Sequence, residues 1–306
     1  MNFKAKKIYI IGAGKVGSSF VYEFFKKKYA LKFVSDRNLR KEKVLSKDLE
    51  RNKVQCSLKI ESDFINQSDV IFIMTQDAYI TSVVEEISKL KIDLRKKLFI
   101  HISGSLSSDV FKKLRIAQTN CASFHPIQTF SEVTRNSSLV ENIYFGVEGG
   151  KNACGYVKKI AANFHSNYII VNPKKKHLYH VASVVTSNYL IGLIYAASKI
   201  IKEIGADEKK TYKIYEPIIK NTLENINRQG IVKSLTGPID RNDTAIIEKH
   251  IKELKKVDPV LTALYLNFGF IAAELAEKKR SISKKDKTKL ESLMKKYLRA
   301  KLKSNK

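Results

Sequence analysis

The sequence predicts an α/β domain with a mostly parallel sheet, followed by an all-helical domain. Three observations support this division. Short apolar runs alternate with helical patterns as far as residue 172, which is typical of a parallel sheet with helical crossovers. A glycine-rich turn follows the first run. Beyond residue 173 the short runs stop and long helical patterns continue. We therefore expect domains at residues 1–172 and 173–306.

The strands of the first domain are predicted from runs of four to seven mostly apolar residues, rich in Val, Ile and Phe. They are residues 8–11, 31–34, 57–60, 69–75, 98–102, 120–124, 143–147 and 168–171. Helical patterns occupy residues 16–25, 80–90 and 153–164, and another begins at Ser107. Residues 37–54 carry mixed charge and indicate a helix or a loop.

The turn after the first strand has the spacing G-x-G-x-x-G, and a helix and a second strand follow it. Gly12 allows the sharp turn, Gly14 lets a pyrophosphate approach the backbone, and Gly17 lets the helix pack on the strand. Asp36 lies 36 − 17 = 19 residues further on, close to the spacing of about 20 typical of an acid that binds a ribose. This context favours a dinucleotide site over a turn that binds nothing. Its residues are Gly12, Ala13, Gly14, Lys15, Val16, Gly17 and Asp36.

The choice between NAD and NADP stays open at this point. Asp36 alone favours NAD, because a carboxylate repels the additional phosphate of NADP. Arg37 follows at once, and Arg40 and Lys41 lie about one helical turn on, so these cations are candidates for holding a 2′-phosphate. In a lysine-rich chain they are also explained as solvated charges. We favour NADP, with NAD as the alternative.

Three further strands end in residues suited to ligand binding. In open α/β sheets ligands bind at the carboxyl ends of the strands. Thr75, Ser103 and Gly104 are expected to contact the cofactor there, and His125 and Gln128 the substrate. Pro126 stiffens the loop that carries His125. A histidine held only by hydrogen bonds within the loop is the alternative.

The first helix of the second domain carries a polar face. Lys176, His180, Ser183 and Ser187 share that face by their spacing. Lys176 or His180 is a candidate to protonate a carbonyl oxygen as hydride reaches its carbon. Asn188 interrupts an apolar run and needs a partner if it is buried, so it joins Lys176 and His180 as a candidate catalytic residue. A polar helix end leading into a core helix explains the same pattern.

The second domain is predicted to consist of helices at residues 174–204, 209–228 (kinked at Pro217), 244–255 and 259–275. A loop at residues 235–243 offers Arg241 as a clamp for a substrate carboxylate. The tail from Lys278 is basic, with a weak helical pattern at residues 290–302. Residues 181–201 are long and apolar enough for a membrane span, but their polar residues favour a buried core helix.

Composition limits the classes of function. The formal net charge of +27 would attract anions, yet the charge is spread along the chain and no nucleic-acid recognition motif is present. We therefore expect small anionic ligands and no specific nucleic acid. Three cysteines without a C-x-x-C pair argue against disulfides and metal sites. No credible signal peptide is present, so we expect a cytoplasmic protein without a membrane anchor.

Six motifs in order carry a family resemblance: GAGKVG, HISGSLSS, SFHPIQTF, LYHVASVVTSNYL, NTLENI and LTGPIDRND. Over residues 7–275 the chain resembles Rossmann-like proteins with a C-terminal helical domain of formerly unknown function, relatives of the 6-phosphogluconate dehydrogenase-like enzymes. Some members resemble an alternative ketopantoate reductase that makes pantoate with NADPH. The resemblance implies dinucleotide binding at Gly12, Gly14 and Gly17. It points to a cleft between the domains, with Ser103, His125, His180, Asn188 and Arg241 as candidate lining residues.

The sequence therefore predicts an NADP-dependent reductase of a small 2-oxo acid, with ketopantoate as the best candidate. Arg241 is expected to hold the carboxylate and Lys176 or His180 to supply the proton. Another oxidoreductase acting on an imine or a hydroxy acid is an alternative, as is a dinucleotide sensor without activity. The apolar helices at residues 181–201 and 260–275 exceed what one small domain easily buries, so we expect a homodimer through the helical domain.

Overall fold

The computed structural model describes residues 3–304, with the backbone alone for residues 299–304. The chain forms two compact units, Met1–Asn188 and Tyr189–Lys306. The predicted boundary at residue 172 marks the end of the strand-rich region. The first unit extends further because it includes the next helix, whose Lys176 and Tyr179 contact the sheet.

The first unit contains one eight-stranded sheet within the described residues. Its strands are β1 (Ile8–Ile11), β2 (Leu31–Ser35), β3 (Gln55–Ser57), β4 (Val70–Ile73), β5 (Leu98–His101), β6 (Cys121–Pro126), β7 (Tyr144–Gly149) and β8 (Asn167–Ile170). The strand order is β3-β2-β1-β4-β5-β6-β7-β8. Every neighbouring pair is parallel except β6 and β7, which are antiparallel. The predicted mostly parallel sheet is confirmed.

The central strands are apolar because both of their faces are covered. Every residue of β1, β4 and β5 is buried, as expected for a parallel sheet between two helical layers. Ile11 pairs with Ser35 on one side and with Ile73 on the other, and Ile73 pairs with His101. This register brings the carboxyl ends of β1, β2, β4 and β5 to one edge of the sheet.

Helices cover the two faces of the sheet. They are α1 (Lys15–Lys26), α2 (Lys43–Arg51), α3 (Ser62–Gln67), α4 (Asp77–Ser88) and α5 (Lys151–Asn163). A further helix, α6 (Lys176–Thr186), follows β8 and contacts the sheet through Lys176 and Tyr179. Short 3-10 segments lie at Phe3–Ala5, Leu39–Lys41, Ser108–Leu114, Gln118–Asn120, Ser137–Val140 and Pro173–Lys175. Phe20, Phe24 and Phe124 belong to the core on one face, and Phe99 and Phe111 to the core on the other.

Two local predictions differ from the structure. The strand expected at residues 57–60 is β3, which lies earlier at Gln55–Ser57. The helix expected from Ser107 is a 3-10 segment, Ser108–Leu114, which Ser107 caps and Arg115 ends in the left-handed conformation. Hydrophobic spacing shows which side of a segment is buried, but here it did not distinguish this tighter helix from an α-helix.

The second unit is helical within the residues described. Its helices are α7 (Asn188–Glu203), α8 (Thr211–Gln229), α9 (Thr244–Val257), α10 (Pro259–Lys279) and α11 (Lys284–Ser304), with 3-10 segments at Glu208–Lys210 and Val232–Ser234. Ile247, Ile251, Leu266 and Met294 form part of its core. Pro217 lies inside α8. The basic tail forms a helix longer than the predicted residues 290–302.

The prediction of a single helix at residues 174–204 is wrong, and so is the prediction that its residues 181–201 are buried. The helix is interrupted at Ser187, where α6 ends and α7 begins. In α7, Tyr189, Ile191 and Tyr195 are exposed, whereas Ala196 and Ile201 are buried. An apolar run predicts burial without identifying the surface that covers it, and this unit leaves much of α7 uncovered.

Candidate functional site

The glycine turn after β1 has the geometry that its sequence predicts. Gly12 has a φ of +98°, a conformation that residues with side chains rarely adopt. A β-carbon at Gly12 would also lie 2.8 Å from the backbone nitrogen of Thr75. A β-carbon at Gly17 would overlap the carbonyl oxygen of Gly12. Both glycines are therefore required for close packing between the first strand, the first helix and the end of β4.

Gly14 differs from its two neighbours in the motif. A β-carbon at Gly14 would meet no atom within 4 Å, so the space beside it is open. Gly14 is also the N-cap of α1 and offers no side-chain oxygen to the N–H groups of the first turn. A helix N-terminus without a side-chain cap attracts anions through its free N–H groups and its dipole.

Asp36 lies at the end of β2 and is bound by two backbone groups. Its Oδ2 accepts a hydrogen bond from the N–H of Ala13 at 2.8 Å, and its Oδ1 accepts one from the N–H of Asn38 at 2.7 Å. Asp36 therefore holds the glycine turn against the loop that follows β2. Next to it, the Arg37 guanidinium lies 4.8 Å from the centre of the Tyr79 ring, which is a cation–π contact.

A cleft of about 780 Å³ extends along the carboxyl edge of the sheet. Most of the predicted site residues contribute to its lining: Gly12, Ala13, Gly14, Lys15, Val16, Asp36, Arg37, Thr75, Gly104, His125, Gln128 and His180. Thr75 presents a buried hydroxyl that has no hydrogen-bond partner in the described part of the chain. The first unit thus brings the glycine turn and two histidines into one continuous cavity.

Ser103 does not line this cleft but makes hydrogen bonds that support the loop next to it. Its hydroxyl donates to Asp77 Oδ2 at 2.6 Å and accepts hydrogen bonds from the N–H groups of Ser105 and Leu106. The Ser105 hydroxyl donates to the same carboxylate oxygen at 2.7 Å. Asp77, the first residue of α4, thereby ties this helix to the loop that carries Gly104.

His125 and His180 converge at Gly104. A β-carbon at Gly104 would lie 2.7 Å from His180 Nδ1 and 2.8 Å from His125 Nε2. The ring centres are 6.1 Å apart. His180 Nδ1 is buried and has no hydrogen-bond partner among the described residues. The missing side chain of Gly104 therefore leaves two imidazole nitrogens available at the edge of the cleft.

The other ring nitrogen of His125 lies 2.6 Å from the hydroxyl of Tyr179. Burial, followed by the nearby His180 and Lys176, lowers the pKa of His125 to about 4. Burial raises the pKa of Tyr179 above its usual value. At neutral pH, His125 is therefore uncharged and Tyr179 retains its proton.

Lys176 is buried below the histidines and is absent from the cleft lining. Its Nζ lies 3.1 Å from Glu148 Oε1. Glu148 also accepts hydrogen bonds from the N–H of Ser108 at 2.6 Å and from its hydroxyl at 2.9 Å. Burial lowers the pKa of Lys176, whereas the Glu148 carboxylate opposes that shift. This pair anchors α6 to β7.

Two predicted site residues lie apart from this cluster. Asn188 is exposed at the start of α7 and does not line the cleft. Arg241 belongs to the second unit, in an exposed turn where its N–H donates to the carbonyl of Gly237 at 3.2 Å. Their predicted roles stay predictions.

Sequence reasoning assigned no role to Tyr179, Glu148 or Asp77, which support the cluster. The only signal was local: Tyr179 stands beside His180, and Asp77 follows the end of a strand. Tyr179 and His125 are 54 residues apart, so no spacing rule connects them.

Two family models match parts of the chain. Residues 143–270 match a domain of unknown function, DUF2520, and residues 1–105 match the shikimate/quinate 5-dehydrogenase model. The two matches agree with the resemblance that the motifs indicated, a Rossmann-like domain followed by a domain of formerly unknown function. No protein with a curated function matches the sequence.

Solved structures share the fold over nearly the whole chain. A protein from Thermotoga maritima is 27% identical, with a TM-score of 0.71, and the match covers 89% of this chain and 99% of that one. A Plasmodium falciparum pyrroline carboxylate reductase with NADP bound is 14% identical, with a TM-score of 0.55 and coverages of 95% and 99%. A reductive aminase from Aspergillus terreus, solved with NADPH and ethyl-5-oxohexanoate, is 14% identical, with a TM-score of 0.59 and coverages of 97% and 94%.

Proposed function

We propose that this chain is an NADP-dependent reductase of a small 2-oxo acid. One observation carries the proposal. A single cleft connects the open N-terminus of α1 at Gly14 with the two histidine nitrogens at Gly104. A nicotinamide-dependent reductase needs one end of its cavity to bind the phosphates of the cofactor and the other end to provide a proton donor.

The cleft fits a dinucleotide. Gly14 leaves space for a pyrophosphate beside the backbone, and the first turn of α1 offers N–H groups to its oxygens. The hydroxyl of Thr75 is buried at the cleft without a partner in the described residues, so it is available to a bound ligand. Gly104, at the other end, is suited to contact the nicotinamide side through its backbone.

NADP is favoured over NAD by the state of Asp36. Both of its carboxylate oxygens accept backbone hydrogen bonds, which reduces its capacity to bind the two hydroxyls of an NAD ribose. Arg37, held over the Tyr79 ring at the same part of the cleft, is suited to a 2′-phosphate. The NADP that accompanies several structurally similar reductases agrees with this choice.

When bound, NADPH supplies the hydride for the carbonyl carbon. The chain supplies the polar groups for the oxygen. Uncharged His125 donates a hydrogen bond that polarises the carbonyl, as a neutral imidazole can. His180, whose Nδ1 opens to the same point, delivers the proton. Lys176 keeps α6, and with it His180, in place through Glu148.

The substrate class rests on the family resemblance and on charge. A chain with a formal net charge of +27 attracts small anions, and Gln128 is a hydrogen-bonding side chain at the cleft. Arg241 is the candidate for holding the carboxylate, although it lies in the other unit. Ketopantoate is the first 2-oxo acid to test. An imine is the second candidate class, favoured by the fold shared with a reductive aminase and an imine reductase.

A homodimer through the helical unit is part of the proposal, supported by the exposed Ile191 and Tyr195 of α7. Two helical stretches, Pro173–Glu203 and Pro259–Lys279, are long and apolar enough to cross a membrane. We assign them instead to packing in a soluble, cytoplasmic protein, because the first contains a break at Ser187 and carries an ion pair from Lys199 to Asp258. No specific nucleic acid is proposed as a partner.

The test begins with binding and then measures turnover. Calorimetry compares the affinities for NADPH and NADH, and the loss of nicotinamide absorbance is followed with a panel of 2-oxo acids, including ketopantoate, and a panel of cyclic imines. We expect tight NADPH binding and turnover with a 2-oxo acid. His180→Ala should lose turnover, and His177→Ala, an exposed histidine on the same helix outside the cleft, should not.

Each alternative has its own outcome. Turnover with imines alone assigns the protein to the imine-reducing enzymes. NADPH binding without turnover on either panel indicates a sensor, and the absence of NADPH and NADH binding rejects the dinucleotide site itself.

A further inference from the structure

The hydroxyl of Tyr179 lies between two elements that are distant in sequence. It is 2.6 Å from His125 Nδ1 on β6. It also lies against Gly146 on β7, where a β-carbon would overlap the hydroxyl oxygen. Gly146 is the residue paired with His125 across the β6–β7 ladder. A glycine at this position thus makes room for the tyrosine ring beside the histidine.

We infer that Tyr179 is a positioning residue that fixes the tautomer of His125, so that Nδ1 accepts from the tyrosine and the Nε2 proton faces the cleft. The inference rests on the proposed reductase function and assigns a role within the same site. The tyrosine acts through His125 and does not itself touch the substrate.

The direction of the hydrogen bond follows from the chemistry of the two groups. A phenol O–H is a strong hydrogen-bond donor and a weaker acceptor, whereas an unprotonated imidazole nitrogen is a strong acceptor. Among the described residues, His125 Nδ1 is the hydrogen-bond partner of the Tyr179 hydroxyl, so we assign the tyrosine as the donor and Nδ1 as the acceptor. Burial keeps the tyrosine protonated and the histidine uncharged at neutral pH, and with Nδ1 as the acceptor the one imidazole proton is on Nε2.

This arrangement determines what His125 offers to a ligand. A neutral imidazole has one N–H, and its position is set by the bond that the other nitrogen makes. With Nδ1 occupied as an acceptor, Nε2 carries the proton, and Nε2 is the nitrogen beside Gly104. The other tautomer would present a bare nitrogen to the carbonyl oxygen, and the two lone pairs would repel each other.

The test measures the tautomer directly, without turnover. In protein labelled with ¹⁵N-histidine, the two ring nitrogens of His125 are distinguished by NMR and assigned by the loss of their signals in His125→Gln. We expect Nε2 protonated and Nδ1 unprotonated in the wild type, and a mixture of tautomers in Tyr179→Phe. Protonated Nδ1 in the wild type overturns the inference, whichever substrate the protein reduces.

Kinetics give a second readout if the reductase activity is found. Removing one oriented hydrogen bond should lower kcat of Tyr179→Phe about tenfold and leave the affinity for NADPH unchanged. Tyr29→Phe is the matched control, since Tyr29 is buried against Phe24 outside the cleft. An unchanged tautomer and kcat in Tyr179→Phe refute the role. If Tyr179→Phe does not fold, the wild-type spectrum still decides.

Discussion

Lys176 and Glu148 form an ion pair in the interior of the first unit, with 3.1 Å between Nζ and Oε1 and both side chains 2% exposed. Removing one partner leaves the other charge buried without its counterion, which typically costs about 3–5 kcal/mol. We therefore expect Lys176→Met to lower the free energy of unfolding by that order, measured by denaturant titration. Removing both charges in Lys176→Met/Glu148→Gln should restore much of the loss, because the neutral amide still accepts from Ser108.

The same double variant tests whether Lys176 takes part in chemistry. If it only anchors α6, the folded double variant retains turnover. Loss of turnover in a folded double variant would favour Lys176 as the proton donor instead. Lys220→Met is the control, since the pair of Lys220 with Glu216 is exposed on α8, and we expect no measurable change in stability there.

Alanine should lower stability when it replaces Gly17 and cofactor affinity when it replaces Gly14. Gly17→Ala places a β-carbon onto the carbonyl oxygen of Gly12, so we expect a clear fall in melting temperature. Gly14→Ala meets no atom within 4 Å and its φ of −70° suits any residue, so stability should hardly change. Its methyl group occupies the space assigned to the pyrophosphate, and NADPH affinity should fall more than tenfold by calorimetry. Normal NADPH binding by Gly14→Ala would show that the cofactor phosphates do not bind at this turn.

The glycine turn was predictable because its physics is local. Three glycines within six residues, a β-branched run before them and Asp36 19 residues after the last one (36 − 17) specify a strand, a turn and a helix without distant information. The structure adds a detail that sequence did not contain. Asp36 binds the N–H of Ala13, so the acid stabilises the turn itself.

The remainder of the site depends on contacts between distant segments. Lys176 and His180 share a helix face, but their neighbours differ: Lys176 meets Glu148 in the interior and His180 meets Gly104 at the cleft. Helical spacing places residues on one face, and only the packing of α6 on the sheet decides their depth. The same limit explains α7, whose apolar sequence indicated burial without indicating a partner.

Arg37 should determine the choice between NADPH and NADH. Its guanidinium lies over Tyr79 at the part of the cleft next to Asp36. Because a 2′-phosphate bound by arginine gains charge-assisted hydrogen bonds of about 1.5–3 kcal/mol, Arg37→Ala should weaken NADPH binding by about one to two orders of magnitude. NADH binding should be nearly unchanged. Equal losses for both cofactors would show that Arg37 only supports the loop, and Arg51→Ala, at the end of α2 outside the cleft lining, provides the control.

His101 should make stability depend on pH. Burial, followed by the nearby charge of Lys176, lowers the pKa of His101 to about 3 from 6.5. As pH falls below 6.5, the unfolded chain binds a proton at this residue and the folded chain does not, so the free energy of unfolding decreases. The contribution of one such histidine is about 1.4 kcal/mol per pH unit.

We expect His101→Asn, which can still accept from the N–H of Ser103, to reduce that slope between pH 6 and 5 by about the contribution of one proton. Denaturant titrations across this range measure it. Carboxylates contribute to the pH dependence of stability mainly at lower pH, so measurements between pH 6 and 5 separate their contribution from that of His101. An identical slope in the wild type and in His101→Asn would mean that His101 titrates in the folded protein as it does in the unfolded chain.

Ile191 and Tyr195 of α7 should lie in a dimer interface. They are four residues apart, share a helix face, and are 69% and 64% exposed in the single chain. Contiguous apolar surface of this kind is rarely left to water. We expect the wild type to sediment as a dimer, and Ile191→Lys/Tyr195→Lys to sediment as a monomer, because two charges cannot be buried in that contact without partners. Val44→Lys, at an exposed apolar position on α2 of the first unit, should remain dimeric. A wild-type chain that sediments as a monomer at micromolar concentration would reject the interface and leave the exposed face of α7 to another partner.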